Sequence, residues 1–233
     1  MVPVEVFKQL LKSGQWVLPM VFLVAAASTE ISPMSGDKAL QKLMDGNKRY
    51  VAAKAAKLTH PNQSPERRTE AAKGQHPFAV IVGCSDSRVP PEIIFDQGIG
   101  DLFVIRVAGN IVDDLALGSI EYATEHLGAQ LIVVLGHERC GAVETTVKGT
   151  EAAGHIGSLV EAIKPAVDKV RKQPGDLLDN AIKSNVKMIV QKLHSSKPIL
   201  EKLVKKDTLK IVGARYDLDD GTVEIVPQSK STE

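Results

Sequence analysis

The chain has 233 residues and only two cysteines, Cys84 and Cys140, which is too few for a disulfide framework. It also lacks a charge imbalance. Twenty-nine basic residues face 28 acidic ones, a formal charge of +1, so nothing points to nucleic acid or an anionic membrane surface. It shows no internal repeat and no low-complexity segment, and no apolar run long enough for a stable membrane span. What remains is an ordinary globular composition, 43% apolar with mixed charges. A chain of this length can bury a sizeable core in one domain with additions.

Residues 1–27 read as an export signal. Lys8 and Lys12 precede the apolar stretch Trp16 to Val24, and Ala25-Ala26-Ala27 offers a small-residue cleavage site. Glu5 and Pro19 depart from that pattern, and an N-terminal arm packed on a partner subunit is the alternative. The expected location is periplasmic or secreted if the segment is cleaved, and cytoplasmic otherwise.

Residues 28–76 read as an N-terminal helical arm, more polar than the remainder of the chain. Ser35 or Asp37 could cap a helix over residues 38–54, with Leu40, Leu43, Met44 and Val51 near one face. A loop at His60-Pro61 and a short polar helix over residues 66–73 come next. From residue 77 the pattern changes to continuous apolar runs, as buried strands require: residues 78–82, 102–107, 131–135 and 209–214. Asp219-Asp220-Gly221 predicts a tight turn into an antiparallel partner over residues 222–226. Helical segments over residues 117–127, 158–172 and 177–194 separate the runs. The pattern predicts an α/β fold with a mainly parallel sheet, an antiparallel edge strand and flanking helices.

Ligands of open parallel sheets bind beyond the carboxyl ends of the strands. Both unusual motifs fall there. Cys84-Ser85-Asp86-Ser87-Arg88 follows the first run, and Gly136-His137-Glu138-Arg139-Cys140-Gly141 follows the third. Adjacent strand ends would bring Cys84, His137 and Cys140 together as two sulfurs and one nitrogen, a set suited to tetrahedral zinc. The spacing of His137 and Cys140 predicts one helical turn carrying both, with Cys140 near a helix N-terminus that favours thiolate. Three strong ligands leave the fourth position open or filled by Asp86, and an open position marks catalytic zinc. A disulfide or redox pair is the competing reading of the cysteines. If the chain stays extended, Cys84, Asp86 and Arg88 project to one side. Arg88 can then grip the Asp86 carboxylate and keep it off the metal. Alone, such a pair is a surface contact of little consequence. His60, His76, His126, His155 and His194 read as surface or packing histidines.

At these residues the sequence closely resembles the β-class carbonic anhydrases. Its two motifs match, as does the segment from Phe95-Asp96-Gln97 through Arg106 to Ala108-Gly109-Asn110, and the similarity runs from about Asp37 to Val226. The resemblance implies one Zn²⁺ per chain on Cys84, His137 and Cys140, with Asp86 and Arg88 as the catalytic pair. It implies reversible hydration of carbon dioxide to bicarbonate and a proton by way of zinc-bound hydroxide. It also implies a homodimer or tetramer with its substrate pocket at a subunit interface, using Gln75, Phe103 and Tyr122. By position alone, Gln75 is a loop amide, and Phe103 and Tyr122 could be ordinary core. Val107 stands where related sequences often have Asn and takes no role. One branch of the family has a bicarbonate-binding regulatory site that uses a tryptophan. The sole tryptophan here is Trp16, in the signal segment, so an open, water-ligated zinc at neutral pH is expected. Two alternatives keep the metal: a hydrolase of carbon disulfide or carbonyl sulfide, and a non-catalytic zinc-stabilised scaffold.

Overall fold

The computed structural model describes residues 33–53, 62–149 and 152–228. The proposed export segment lies outside them.

The chain enters through helix α1 (Gly36–Ala52) and the short helix α2 (Pro65–Ala71). Strand β1 (Ala79–Gly83) is followed by the single turn α3 (Pro91–Ile94), strand β2 (Leu102–Arg106) and a 3₁₀ turn at Ala108–Asn110. Helix α4 (Asp114–Glu125) leads to β3 (Leu131–His137), then α5 (Gly141–Lys148), α6 (Ile156–Val170) and α7 (Leu177–His194). Helix α8 (Leu200–Lys205) precedes β4 (Lys210–Tyr216) and β5 (Val223–Val226).

The five strands lie in the order β2-β1-β3-β4-β5, all parallel except the β4–β5 hairpin. This is the mainly parallel sheet with an antiparallel edge that the apolar runs predict. β1 and β3 bury every residue, as strands covered on both faces must. On one face Val80, Val82, Ile132 and Val134 meet Ile120 and Ala123 of α4 and Val186, Ile189 and Leu193 of α7. On the other, Ile81, Val133 and Leu135 meet Ala39 and Leu43 of α1 together with Phe95. Helix α1 is therefore seated on the sheet. Its Asn47, also buried, donates to the carbonyls of Ile94 and Gly221 and accepts from Val223 N–H. Ser35 does cap α1, but its side chain makes no capping hydrogen bond. Helix α2 buries no residue.

Pairing of β1 with β3 sets Gly83 beside Leu135. The chain leaves both strands at one edge of the sheet, and the two motifs emerge side by side. A third group, around Ile163, Val167, Ala181 and Ile182 of α6 and α7, packs against Cys84 and Cys140 from the helical side.

Candidate metal centre

Cys84 is the first residue beyond β1, His137 is the last residue of β3, and Cys140 is the residue that caps α5. The three are buried, and their ligand atoms lie within 4.8 Å of one another. Their spacing predicted one helical turn carrying both His137 and Cys140, but the two do not share one. A strand ends at the histidine, Glu138-Arg139 turns with Arg139 at φ +49°, and only then does the helix begin. The turn still converges them, since their ligand atoms lie within 4.8 Å of each other across the left-handed Arg139.

The donor set fits a metal ion. His137 Nδ1 lies 2.8 Å from the carbonyl oxygen of Glu138. A carbonyl only accepts, so Nδ1 carries the proton and Nε2 presents its lone pair. That Nε2 is buried with no hydrogen-bond partner among the described residues, an arrangement that leaves an acceptor unmet unless a cation takes it. The cysteines are free thiols with sulfurs 4.0 Å apart. Donation from Cys140, assisted by the Gly109 N–H at 3.2 Å, draws Cys84 well below the ordinary thiol range against its burial. The same pairing, with burial, pushes Cys140 up. One thiolate thus opposes the other, and a divalent cation between them favours both.

Asp86 stands beside this group and is turned from it. Arg88 grips it with Nε at 2.9 Å from Oδ1 and Nη2 at 2.7 Å from Oδ2, and the Arg88 backbone N–H adds a bond to Oδ1 at 2.9 Å. The segment is turned, whereas the i, i+2, i+4 reading supposed it extended. Val89 N–H closes a turn onto the Asp86 carbonyl. The turn achieves by curvature what an extended strand would have done by alternation. Arg88 holds the Asp86 carboxyl down at about 2, below the usual carboxylate range. The carboxylate reaches His137 Nε2 at 3.8 Å, beyond hydrogen-bond length.

The other three sequence-predicted residues are not at this centre in one chain. Phe103 pairs with Val80, four residues before Cys84, which places it about 13 Å back along the sheet. It packs against Tyr122 with ring centroids 6.5 Å apart, and Tyr122 also contacts His126 at 5.4 Å. Gln75 is exposed and lies beyond the opposite end of β1.

Sequence reasoning assigned no role to three residues that support the loop. Arg106 donates from Nε to the Cys84 carbonyl at 2.9 Å and from Nη2 to the Asp86 carbonyl at 2.6 Å. Gly109 supplies the amide to the Cys84 sulfur, and Asn185 Nδ2 donates to the Gly109 carbonyl at 2.9 Å. Arg106 and Gly109 sit in the connecting segment, where the resemblance gave a signal. Asn185 is a single polar residue in an amphipathic helix and gave none.

The fold and donor set define an α/β protein with a Cys-His-Cys metal-ligand group at the carboxyl ends of adjacent parallel strands. Comparison with known proteins narrows that class. The family model described as "Carbonic anhydrase" matches residues 79–223. Carbonic anhydrase 2 of Mycobacterium tuberculosis is 42% identical over 194 residues, covering 82% of this chain and 91% of that protein. The carbonic anhydrase of Mycolicibacterium smegmatis is 41% identical over 198 residues, covering 83% and 93%. Among solved structures, a tetrameric β-carbonic anhydrase from Sordaria macrospora superposes with a TM-score of 0.66 at 26% identity, covering 70% of this chain and 87% of that one. The Coccomyxa β-carbonic anhydrase in complex with acetazolamide gives 0.61 at 27% identity, covering 80% and 86%. This chain belongs to the β-carbonic anhydrase family.

Proposed function

We propose that this protein is a zinc-dependent carbonic anhydrase that interconverts carbon dioxide and bicarbonate. The observation that carries the reading is the convergence of two thiols and an unpartnered imidazole nitrogen beside a carboxylate that an arginine holds aside. Cys84, His137 and Cys140 would hold the ion. Zinc, when bound, supplies a nucleophile at neutral pH by lowering the pKa of water towards about 7.

The rest is the work of this chain's own groups. Arg88 occupies both oxygens of Asp86, so the carboxylate is oriented and does not compete for the metal position. It remains ionised at neutral pH and can accept a hydrogen bond from the attacking oxygen, which fixes that oxygen's lone pair towards the substrate carbon. Arg106 locks the two carbonyls that bracket this segment. The Gly109 N–H moderates the charge on Cys84.

The apolar side of the pocket comes from a second copy in this reading. Gln75, Phe103 and Tyr122 are too distant to serve the centre of their own chain, and β2 is an open sheet edge. Beside it, α4 exposes Leu115 at 83% and Tyr122 at 48%, apolar groups that a second copy could cover. A homodimer, alone or within a tetramer, would place Gln75, Phe103 and Tyr122 against the partner's metal and exclude water from the carbon dioxide side. The export reading of residues 1–27 stands as a proposal beside this one. N-terminal sequencing of protein from its native host tests it: a mature chain that begins near Ser28 supports export, and one that keeps Met1 refutes it.

The function is tested by carbon dioxide hydration assayed with metal content on one preparation. Turnover that follows zinc occupancy supports it. A fully zinc-loaded protein without turnover refutes it.

A further inference from the structure

Asn185 is wholly buried at the middle of α7, on the face that also carries Ala181, Ile182 and Ile189. A polar side chain there is out of place in an apolar row. Helix α7 comes close to the sheet because Gly136 has no side chain. A Cβ there would stand 2.6 Å from Val186 Cγ2 and 3.4 Å from Ile182 Cγ2. That approach delivers Asn185 to the 3₁₀ turn at Ala108–Asn110. Its Nδ2 donates to the Gly109 carbonyl at 2.9 Å, while its Oδ1 has no partner among the described residues. The amide orientation is fixed, since only the nitrogen can donate to a carbonyl.

Gly109 is held from every side. It adopts φ +71°, and a Cβ would stand 2.6 Å from Ile163 Cδ1 and 3.3 Å from Ala142 Cβ. The peptide on its C-terminal side is anchored by Asn185, and the N–H on its N-terminal side points at Cys84 Sγ, 3.2 Å away. A bare glycine would let the two peptides turn independently about φ and ψ. Here Ile163 and Ala142 crowd the Gly109 α-carbon, so anchoring the carbonyl on one side limits how far the amide on the other can turn.

We propose that Asn185 is a positioning residue for the metal centre: through Gly109 it holds the amide that donates to the Cys84 sulfur, and so sets the strength of the Cys84–metal bond. It touches neither metal nor substrate and acts only through the Gly109 backbone. The inference rests on the reading of Cys84 as a metal ligand. Partners of this kind commonly change metal affinity by about 10- to 100-fold when removed.

The test uses the full chain loaded with ¹¹³Cd or Co²⁺. In the unmodified protein the Gly109 amide proton should show scalar coupling to ¹¹³Cd through the Cys84 sulfur. In Asn185→Leu, of similar volume and suited to the apolar row, that coupling should fall or vanish. Chelator competition should then show affinity lower by about tenfold or more, and the thiolate-to-Co²⁺ charge-transfer band should shift. A folded Asn185→Leu protein with affinity within about twofold of the unmodified chain and an unchanged band overturns the proposal. So does the absence of Gly109 coupling in the unmodified, stoichiometrically loaded protein, which needs no variant to fold. An unmodified protein that takes up no metal at Cys84, His137 and Cys140 would instead overturn the function on which the inference rests.

Discussion

Replacing Gly109 by alanine tests both the packing around the metal loop and its geometry. At φ +71° alanine enters the left-handed region, which costs about 1–2 kcal/mol. Its methyl would stand 2.6 Å from Ile163 Cδ1, and Ile163 is wholly buried with no solvent to move into. Overpacking of this kind costs about 1–3 kcal/mol. The two together give roughly 2–5 kcal/mol, a large share of the roughly 5–15 kcal/mol that stabilises a typical domain. Urea denaturation of the metal-free protein should therefore show a midpoint lower by about 1–2 M. Ile163→Val removes the offending Cδ1, so the double variant should be less destabilised than the sum of the singles by about 1–2 kcal/mol. The dihedral part should persist in the double variant. A Gly109→Ala protein within about 0.5 kcal/mol of the parent would refute both the clash and the backbone assignment, and a strictly additive cycle would refute the clash alone.

Asp86→Asn should keep its metal while turnover falls by at least about 10²-fold, read by stopped-flow kinetics with metal analysis. Near-normal turnover would remove Asp86 from the mechanism. The Asp86 carboxyl should titrate near 2 by NMR. Its contribution to stability should be complete above about pH 4 and fade as pH falls towards that midpoint. Arg88→Ala should raise the midpoint into the ordinary range, and an unmoved midpoint would contradict the assigned pairing. Asn47→Leu should cost roughly 3 kcal/mol by losing three buried hydrogen bonds, and a shift under about 1 kcal/mol in urea would refute that account. Mixed dimers of an Asp86→Asn chain and a Gln75→Ala chain should regain one intact centre if Gln75 acts across the interface. No recovery in a verified mixed dimer would place Gln75 elsewhere.

Much of the fold was legible because the parallel strands are buried on both faces. The runs ending at Val82 and Leu135 need no alternation to be recognised, and their ends placed Cys84 and His137 correctly. Helix α7 was read at its full observed length, since Asp176 caps it with two backbone bonds and its apolar period is regular. The local path between ligands was not legible. Three-residue spacing cannot distinguish one helical turn from a strand end followed by a left-handed Arg139, and both converge His137 and Cys140. Asp86 and Arg88 likewise meet by a turn, which spacing alone presented as an extended segment. Phe103 and Tyr122 are neighbours as the resemblance implied, but the register of β2 against β1 sets them far from their own Cys84. Strand register depends on contacts between distant segments, and no local pattern encodes it. Asn185 was invisible for the same reason: its significance lies in reaching Gly109 across 76 positions.

The most direct test of the account is stopped-flow carbon dioxide hydration from pH 6.5 to 9, with zinc determined on the same sample. The account predicts fast hydration at one zinc per chain, lost on zinc removal and restored on reloading. Full zinc occupancy without hydration, or hydration indifferent to zinc, would contradict it.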